Sequence, residues 1–133
     1  MAFVTLKDGT SASEADLRGF AREAVSERPA APVEVVILDA MPVTALGKIF
    51  KPALRAMAGA RVLDAELSPM VAALGGTIRI KPGDPTNPAR IRLGGVAEDA
   101  RAGLAERITQ TSAAIRTPVT IDWAAAAPQP ELP

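Results

Sequence analysis

The sequence predicts an α+β fold in which helices pack on a small mixed sheet. Apolar residues recur every three or four positions around residues 14–26 and 96–111, which is the helical period. Apolar and polar residues alternate at 77–81 and 89–93, which indicates strands. From Val33 onward the predicted elements follow the order strand, helix, strand, strand, helix, strand. This is the ferredoxin-like βαββαβ order, and a further strand and helix precede it.

The first predicted elements are the strand and the helix that precede the ferredoxin-like order. The apolar run from Ala2 to Leu6 ends at Lys7-Asp8-Gly9, which indicates a buried strand that enters a turn. Ser13 stands three residues before Asp16 at the start of a helical pattern, and this spacing predicts a capping box. Pro29 is expected to end the helix. The apolar face predicted for this helix consists of Leu17, Phe20, Ala21, Ala24 and Val25.

A second strand and a longer helix are predicted next. The nearly continuous apolar run from Val33 to Leu38 indicates a strand that is buried on both faces. A loop over residues 39–47 follows, and then a helix that has Pro52 in its first turn, where proline is tolerated. The helical pattern extends to Leu67, and Pro69 is expected to break or restart the helix.

The remaining sequence predicts a hairpin, a helix, a last strand and a tail. A turn-rich linker joins the strands 77–81 and 89–93, so they form a hairpin with a long loop. The last strand, 119–123, contains Trp123, which is expected to anchor the core. Residues 124–133 are rich in Ala and Pro and are predicted to be a disordered tail.

Composition excludes several kinds of chemistry. The chain has no Cys, no His and no Tyr, which removes disulfides, thiolate nucleophiles, His or Cys metal sites and Ser–His couples. Lys and Arg number 15, as do Asp and Glu, and a net charge of zero argues against non-specific binding to nucleic acid or membranes. No apolar run approaches the roughly 20 residues that span a bilayer, and the N-terminus lacks the basic start of a signal peptide. A cytoplasmic protein without a metal site or a membrane span is therefore expected.

The segment from Met41 to Arg55 is the most informative part of the chain. Gly47 allows a backbone turn that a side chain would obstruct, and Lys48 follows it directly. A lysine at the end of such a turn can bind phosphate or carboxylate oxygens and stabilise charge that develops on them. No Asp or Glu lies between Asp39 and Asp64, and the cations in this stretch are Lys48, Lys51, Arg55 and Arg61.

These residues carry a resemblance to a known family. The pattern Pro42-x-Thr44-x-x-Gly47-Lys48, with Lys51 and Leu54-Arg55 behind it, resembles the C-terminal core motif of AMP-forming acyl-CoA synthetases. These enzymes belong to the adenylate-forming superfamily.

The elements upstream also keep the order and spacing of that family, so the resemblance covers residues 1 to about 57 and is most specific at 41–55. The Ile-Phe-Lys-Pro continuation is similar to bacterial fatty-acyl or related carboxylic-acid ligases that carry a C-terminal extension. Val43 departs from the pattern, because many members have a basic residue there, and we expect this change to be tolerated.

The resemblance implies an ATP-dependent ligase of fatty acid metabolism. Such enzymes use ATP and Mg²⁺ to convert a carboxylic acid to an acyl-AMP with release of pyrophosphate, and CoA then attacks the adenylate. A large N-terminal domain binds ATP and the acid, and a small C-terminal domain acts as a lid. The motif lysine, here Lys48, contacts the reacting carboxylate and the nucleotide, while Pro42, Thr44 and Gly47 support its loop.

The same resemblance predicts a division of the chain. Residues 1–57 are expected to be the lid portion, residues 58–123 a family-specific extension packed on it, and residues 124–133 the tail. The ATP-binding domain and the hairpin that opens the family's small domain are absent from the sequence. The isolated chain is therefore expected to be inactive and to bind no cofactor by itself. It is expected to work with an adenylation domain in the same or a partner chain. The open edge of the strand from Ala2 to Leu6 is expected to allow homo-oligomers.

Simpler interpretations exist for each of these residues. Lys48 can be a basic surface turn, and Lys51 and Arg55, four residues apart, can be a solvated or partner-facing patch rather than a phosphate contact. Thr44 is expected to hydrogen-bond the loop backbone rather than the substrate. The alternative function is a non-catalytic ferredoxin-like binding or dimerisation module that descends from such an enzyme.

The predicted hairpin raises a separate question. Its cations share one face, which is typically the solvated side of a half-buried sheet, and the alternative is an anion site for CoA phosphates or nucleic acid. No aromatic residues are interleaved, so a stacking platform for single-stranded nucleic acid is not expected. The four cations are Arg79, Lys81, Arg90 and Arg92.

Overall fold

A computed structural model describes residues 1–124, apart from the side chain of Arg28. The described residues form three α-helices, five strands and a short 3₁₀ turn at Arg28–Ala30, so the predicted α+β class is confirmed. The predicted tail lies outside the described residues, except for Ala124. The elements are β1 (Ala2–Val4), α1 (Glu14–Ala24), β2 (Val35–Ile37), α2 (Lys51–Ala73), β3 (Thr77–Lys81), β4 (Ala89–Gly94), α3 (Glu98–Ala114) and β5 (Val119–Trp123).

The chain divides into two compact units. The first is Met1–Lys51, and the second begins at Pro52. The order of elements from Val33 onward agrees with the ferredoxin-like order, but the strands do not form one sheet. β2 pairs with β1 in a two-stranded sheet, and the other three strands form a sheet of their own. The first unit has this pairing because β1, α1 and β2 form a parallel crossover, in which sequential strands become neighbours.

α1 is positioned in the first unit by two sets of polar contacts. Its N-cap is Ser13, whose hydroxyl accepts from the Asp16 N–H at 3.1 Å, while the Asp16 carboxylate accepts from the Ser13 N–H at 3.2 Å. The predicted capping box is therefore confirmed. The Glu14 carboxylate accepts from the Ile37 N–H at 3.1 Å, which joins the start of the helix to β2.

Two apolar residues of the first unit are more exposed than the sequence predicts. Phe20 is 70% exposed, although it falls on the predicted apolar face of α1, and Val33 is 86% exposed. Val33 precedes β2 rather than belonging to it, and Val35 and Val36 supply the buried part of that strand. The predicted strand, which was expected to start at Val33, was therefore too long by two residues at its N-terminal end.

The second unit is built on a three-stranded mixed sheet in the order β3-β4-β5. β3 and β4 are antiparallel, as the hairpin prediction requires, and β4 and β5 are parallel because α3 crosses between them. One face of this sheet is apolar and contacts the helices. Its core contains Leu63, Leu67, Val71, Ile91, Leu93, Val96, Leu104 and Ile108, and Trp123 packs against it as predicted.

α2 continues through Pro69, so the expected break at this residue was wrong. Leu63, Leu67 and Val71 lie four residues apart on one face of the helix, and all three are fully buried. A proline inside a helix removes a hydrogen bond and costs roughly 3 kcal/mol. Burying three side chains stabilises the helix by about 1.5–3 kcal/mol each, which outweighs that cost.

Replacing Pro69 with Ala is expected to stabilise the second unit by at most about 3 kcal/mol, because it restores an intrahelical hydrogen bond at an exposed position. The measurement is urea unfolding followed by the fluorescence of Trp123, the single tryptophan. Glu66→Ala, at another exposed position of α2, controls for helix propensity and should change stability by no more than about 0.5 kcal/mol. A lower midpoint for Pro69→Ala would mean that the proline itself makes a needed contact.

The loop between β3 and β4 is organised around the Asp84 carboxylate. Its Oδ1 accepts from the Thr86 N–H at 2.8 Å, from the Thr86 hydroxyl at 2.7 Å and from the Asn87 N–H at 2.9 Å. Hydrogen bonds from the Thr86 and Asn87 side chains and from their backbone favour the charged form and lower the pKa of Asp84 to about 2.

The loop is expected to keep this arrangement at pH 3 and to lose it near pH 2. Because folding lowers the pKa of Asp84, its charged carboxylate stabilises the loop at pH values above the ordinary pKa of 3.8. This stabilisation is lost as the pH falls through the pKa of the folded state. The Thr86 amide resonance should therefore titrate with a midpoint near 2, and Asp84→Asn should abolish that titration. A midpoint near the ordinary value would show that the hydrogen bonds do not persist in solution.

Candidate functional site

The motif residues form a tight hairpin just before α2. The Phe50 N–H donates to the Pro42 carbonyl at 2.8 Å, and the Thr44 N–H donates to the Lys48 carbonyl at 2.8 Å. The residues between Thr44 and Lys48 therefore form a three-residue loop, which is a common hairpin connection. Four of the predicted site residues, Pro42, Thr44, Gly47 and Lys48, are brought together by this hairpin.

Gly47 closes the loop in a left-handed backbone conformation. Its φ is +76°, and its N–H donates to the Thr44 carbonyl at 2.9 Å. A type I turn followed by a left-handed residue is the usual geometry of such a loop. A Cβ at this position would meet no atom within 4 Å, so the requirement for glycine is conformational rather than steric.

Thr44 stabilises the loop from the side. Its hydroxyl oxygen accepts a hydrogen bond from the Lys48 N–H at 3.2 Å, in addition to the backbone bond between the same two residues. The prediction that Thr44 bonds the loop backbone is therefore confirmed. Together with the bridge between Val43 and Ile49, these bonds fix the backbone from which the Lys48 side chain leaves.

Lys48 is exposed at the end of the loop. Within residues 1–124, its ammonium makes no hydrogen bond and no ion pair. A charged group of this kind is available to an external anion, and its backbone is held in place by the Thr44 bonds. The nearest acidic residues along the chain are Asp39 and Asp64, so the sequence around Lys48 is locally basic.

The hairpin has two chemically different faces. Val43 and Ile49 are opposite each other and share one face, while Thr44 and Lys48 share the other, because side chains alternate along paired strands. Val43 is 56% exposed, Ile49 is 55% exposed, and Leu46 at the tip is 86% exposed. Sequence reasoning missed this exposed apolar face, because the alternation around Gly47 indicates only that Val43 and Ile49 share a face and not that the face is exposed.

Lys51 and Arg55 lie outside the hairpin. Lys51 is the first residue of α2 and Arg55 is four residues further on, so the predicted shared helical face is present and both side chains are exposed. Neither side chain makes a hydrogen bond or an ion pair within the described part of the chain. The structure therefore leaves both a solvated patch and an anion contact open for this pair.

Residues 1–124 have neither a cluster of metal-ligating side chains nor a membrane-spanning helix. They contain no group of three or more Asp or Glu side chains arranged to hold a metal ion. No helix among them is long and apolar enough to cross a membrane.

Comparison with known proteins shows which family of domains the first part of the chain resembles. Residues 1–48 match the family model of the AMP-binding enzyme C-terminal domain, and the match ends at Lys48. The first part of the chain is thus similar to the C-terminal domain of AMP-binding enzymes, which agrees with the resemblance based on the motif.

A curated relative gives a more particular comparison. The chain is 41% identical over 51 residues to marinolic acid–CoA ligase from Pseudoalteromonas sp. (strain SANK 73390). The match covers 38% of this chain and 8% of the length of that ligase. No solved structure matches the chain.

Proposed function

We propose that this chain supplies the lid of an ATP-dependent, AMP-forming acyl-CoA synthetase, an acid–thiol ligase that converts a carboxylic acid, ATP and CoA to acyl-CoA, AMP and pyrophosphate. The observation that carries the proposal is the exposed Lys48 ammonium, which a rigid hairpin presents within the segment that matches the C-terminal domain of AMP-binding enzymes. In this proposal Lys48 is the catalytic residue, and Pro42, Thr44 and Gly47 hold its loop.

The chemistry of the reaction explains why a fixed cation is useful. Adenylation brings an anionic carboxylate against an anionic triphosphate, so the reactants repel each other. A lysine that is already in position offsets this repulsion and stabilises the charge in the transition state, without reorganisation during the reaction. Lys48 would act as a charged hydrogen-bond donor and not as a base.

The apolar face of the hairpin supports a covering domain. Val43 and Ile49 are exposed on the face of the hairpin opposite Lys48, and Leu46 is exposed at its tip. Exposed apolar residues that cluster in this way are typical of interaction surfaces. We propose that the adenylation domain, in the same or a partner chain, covers this face when Lys48 enters the active site. When Lys48, on the other face, enters an active site from which water is excluded, the electrostatic effect of its ammonium becomes stronger.

The rest of the proposal concerns the complete enzyme. ATP, Mg²⁺ and CoA belong to that enzyme, the acid is a fatty acid, the location is the cytoplasm, and the isolated chain is inactive. We assign residues 1–57 to the lid and residues 58–123 to a family-specific extension. A boundary at residue 57 lies in the second turn of α2, which begins at Lys51.

The test is a chimera in which residues 1–51 replace the matching segment of the marinolic acid–CoA ligase. We expect the chimera to catalyse acid-dependent ATP–pyrophosphate exchange and the isolated chain to catalyse none. A well-folded chimera that lacks exchange activity would refute the lid assignment and favour the non-catalytic module. The parent ligase without its own matching segment serves as the negative control.

Self-association through β1 is a separate proposal. The Ala2 N–H donates to the Glu34 backbone carbonyl, and the Leu38 N–H donates to the Val4 carbonyl. The backbone N–H and carbonyl of Phe3, which lies between Ala2 and Val4, therefore point away from β2. Within residues 1–124 this edge of β1 pairs with no other strand. Such an edge can pair with a second copy of the chain.

We therefore expect light scattering to show a concentration-dependent dimer. Phe3→Pro, which removes the outward donor, should shift the equilibrium to monomer while circular dichroism stays unchanged. A wild-type chain that remains monomeric at the highest soluble concentration would contradict this prediction.

A further inference from the structure

The outer face of the β3-β4-β5 sheet concentrates positive charge. Side chains at alternate positions of β3 and β4 point away from the core. In two adjacent outward rows of paired residues, all four side chains are cations: Arg79, Lys81, Arg90 and Arg92. The helices of the second unit pack on the opposite, apolar face, where the buried core lies. The cations are exposed to solvent.

The register places like charges directly opposite each other. Arg79 is paired with Arg92, and Lys81 is paired with Arg90. Side chains at such positions are about 5 Å apart at Cβ, and like charges directly opposite are destabilising. Two such pairs on one small face therefore weaken the sheet unless an anion is bound there.

The carboxylate on this face neutralises only one of the four cations. Asp122 lies opposite Arg92 in the register, but its Oδ2 is 3.4 Å from the Nε of Arg90, and both side chains of this ion pair are well exposed. Within residues 1–124, the side chains of Arg79, Lys81 and Arg92 make no ion pair or hydrogen bond. The three residues are neighbours on this face, with spacings of about 5–8 Å between their positions along and across the strands.

We propose that this face binds the pyrophosphate group of a phosphorylated small molecule, with Arg79, Lys81 and Arg92 as its ligands. A group that carries several negative charges in a compact volume fits three cations held on rigid strands. The planar guanidinium groups of Arg79 and Arg92 suit bidentate contacts to phosphate oxygens. The exposed hydroxyl of Thr120, beside Arg90 in the register, adds a neutral donor at the rim.

A nucleic acid fits this face less well. The cationic area extends over two rows of two strands and does not form a track for a backbone with many phosphates. Stacking of bases would need aromatic side chains on the same face, but Trp123 packs against the core, with the guanidinium of Arg101 5.3 Å from its ring centroid. A compact phosphate group is therefore the occupant that the charges favour.

This inference does not rest on the proposed ligase function, since every residue involved lies in the second unit. It is tested on the whole chain by titration with inorganic pyrophosphate, followed by amide chemical shifts. We expect the perturbed resonances to lie in β3 and β4. The double variant Arg79→Gln/Arg92→Gln should weaken binding about 10- to 100-fold, the loss expected when charged hydrogen bonds are removed.

The control variant is Arg107→Gln, which removes one positive charge from the exposed side of α3. It should bind pyrophosphate as the wild type does. Equal binding by the double variant, or shifts confined to other elements, would overturn the proposal. Tight binding of a single-stranded oligonucleotide without binding of pyrophosphate would also overturn it, in favour of a nucleic-acid surface.

A stability measurement separates binding from a structural role. Because the paired cations repel each other, the double variant should unfold at a higher temperature than the wild type in the absence of ligand. Pyrophosphate should raise the unfolding temperature of the wild type and leave that of the double variant unchanged. A double variant that is less stable than the wild type would show that the arginines hold the sheet together, and this would contradict the inference.

Discussion

Replacing Lys48 with Ala in the active chimera is expected to slow formation of the acyl-adenylate by about 10²–10³-fold, or about 2.7–4 kcal/mol of transition-state stabilisation. The hairpin backbone should be unaffected, since Gly47 and Thr44 hold it through bonds that do not involve the lysine side chain. The measurement is a single-turnover assay of adenylate formation with excess enzyme. Thioester formation from supplied acyl-AMP and CoA should change little, because the repulsion that Lys48 offsets is present only in the first step.

Lys7→Ala is a matched control for this experiment. Lys7 is also exposed, and it also lies close to a glycine with positive φ, Gly9, but it is outside the motif hairpin. The Lys7→Ala chimera should catalyse both half-reactions at the rates of the unmodified chimera. An equal loss in the two half-reactions with Lys48→Ala would indicate that the lysine positions the domain as a whole rather than the adenylation transition state.

The features predicted correctly from the sequence depend on contacts between near neighbours in the chain. The capping box of α1 requires only Ser13 and Asp16, and the hairpin turn requires Gly47 and the Thr44 hydroxyl. Alternation likewise predicts β3 and β4, because the side-chain period of a strand is a local property. Each of these signals lies within five residues and does not depend on the rest of the fold.

The features that sequence reasoning missed depend on distant residues. Pro69 remains helical because Leu63, Leu67 and Val71 are buried against residues of β4 and α3. This burial cannot be inferred from the sequence near Pro69. The partner of β2 is β1, a choice that is made by the crossover through α1 and not by the residues of β2. Periodicity also cannot report how much of a face is covered, as the exposure of Phe20 shows.

The geometry of the motif hairpin was predictable for a related reason. Its residues are nearly consecutive, so the motif itself brings Thr44, Gly47 and Lys48 together. The exposed apolar face beside them was not predictable, because Val43 and Ile49 have the alternation of an ordinary buried strand. Whether such residues are covered by their own chain is decided only by the fold.

The second large effect is expected in the core of the second unit. Leu67→Ala should lower its free energy of unfolding by about 2–5 kcal/mol, because Leu67 is fully buried and a cavity would remain. That is a large part of the roughly 5–15 kcal/mol that stabilises a small domain. Urea unfolding followed by Trp123 fluorescence measures the loss. Leu74→Ala, at a leucine that is 44% exposed just beyond α2, should cost about 1 kcal/mol or less.

The double variant Leu67→Ala/Pro69→Ala tests why α2 is continuous. If burial of Leu67 is what holds the helix through the proline, the two substitutions are coupled, and removing Pro69 should restore more stability in the Leu67→Ala background than in the wild type. The recovery remains limited to about 3 kcal/mol, the cost of proline in a helix, so the cavity in the core should still be detectable. Strict additivity of the two changes would mean that Leu63 and Val71 hold the helix without help from Leu67.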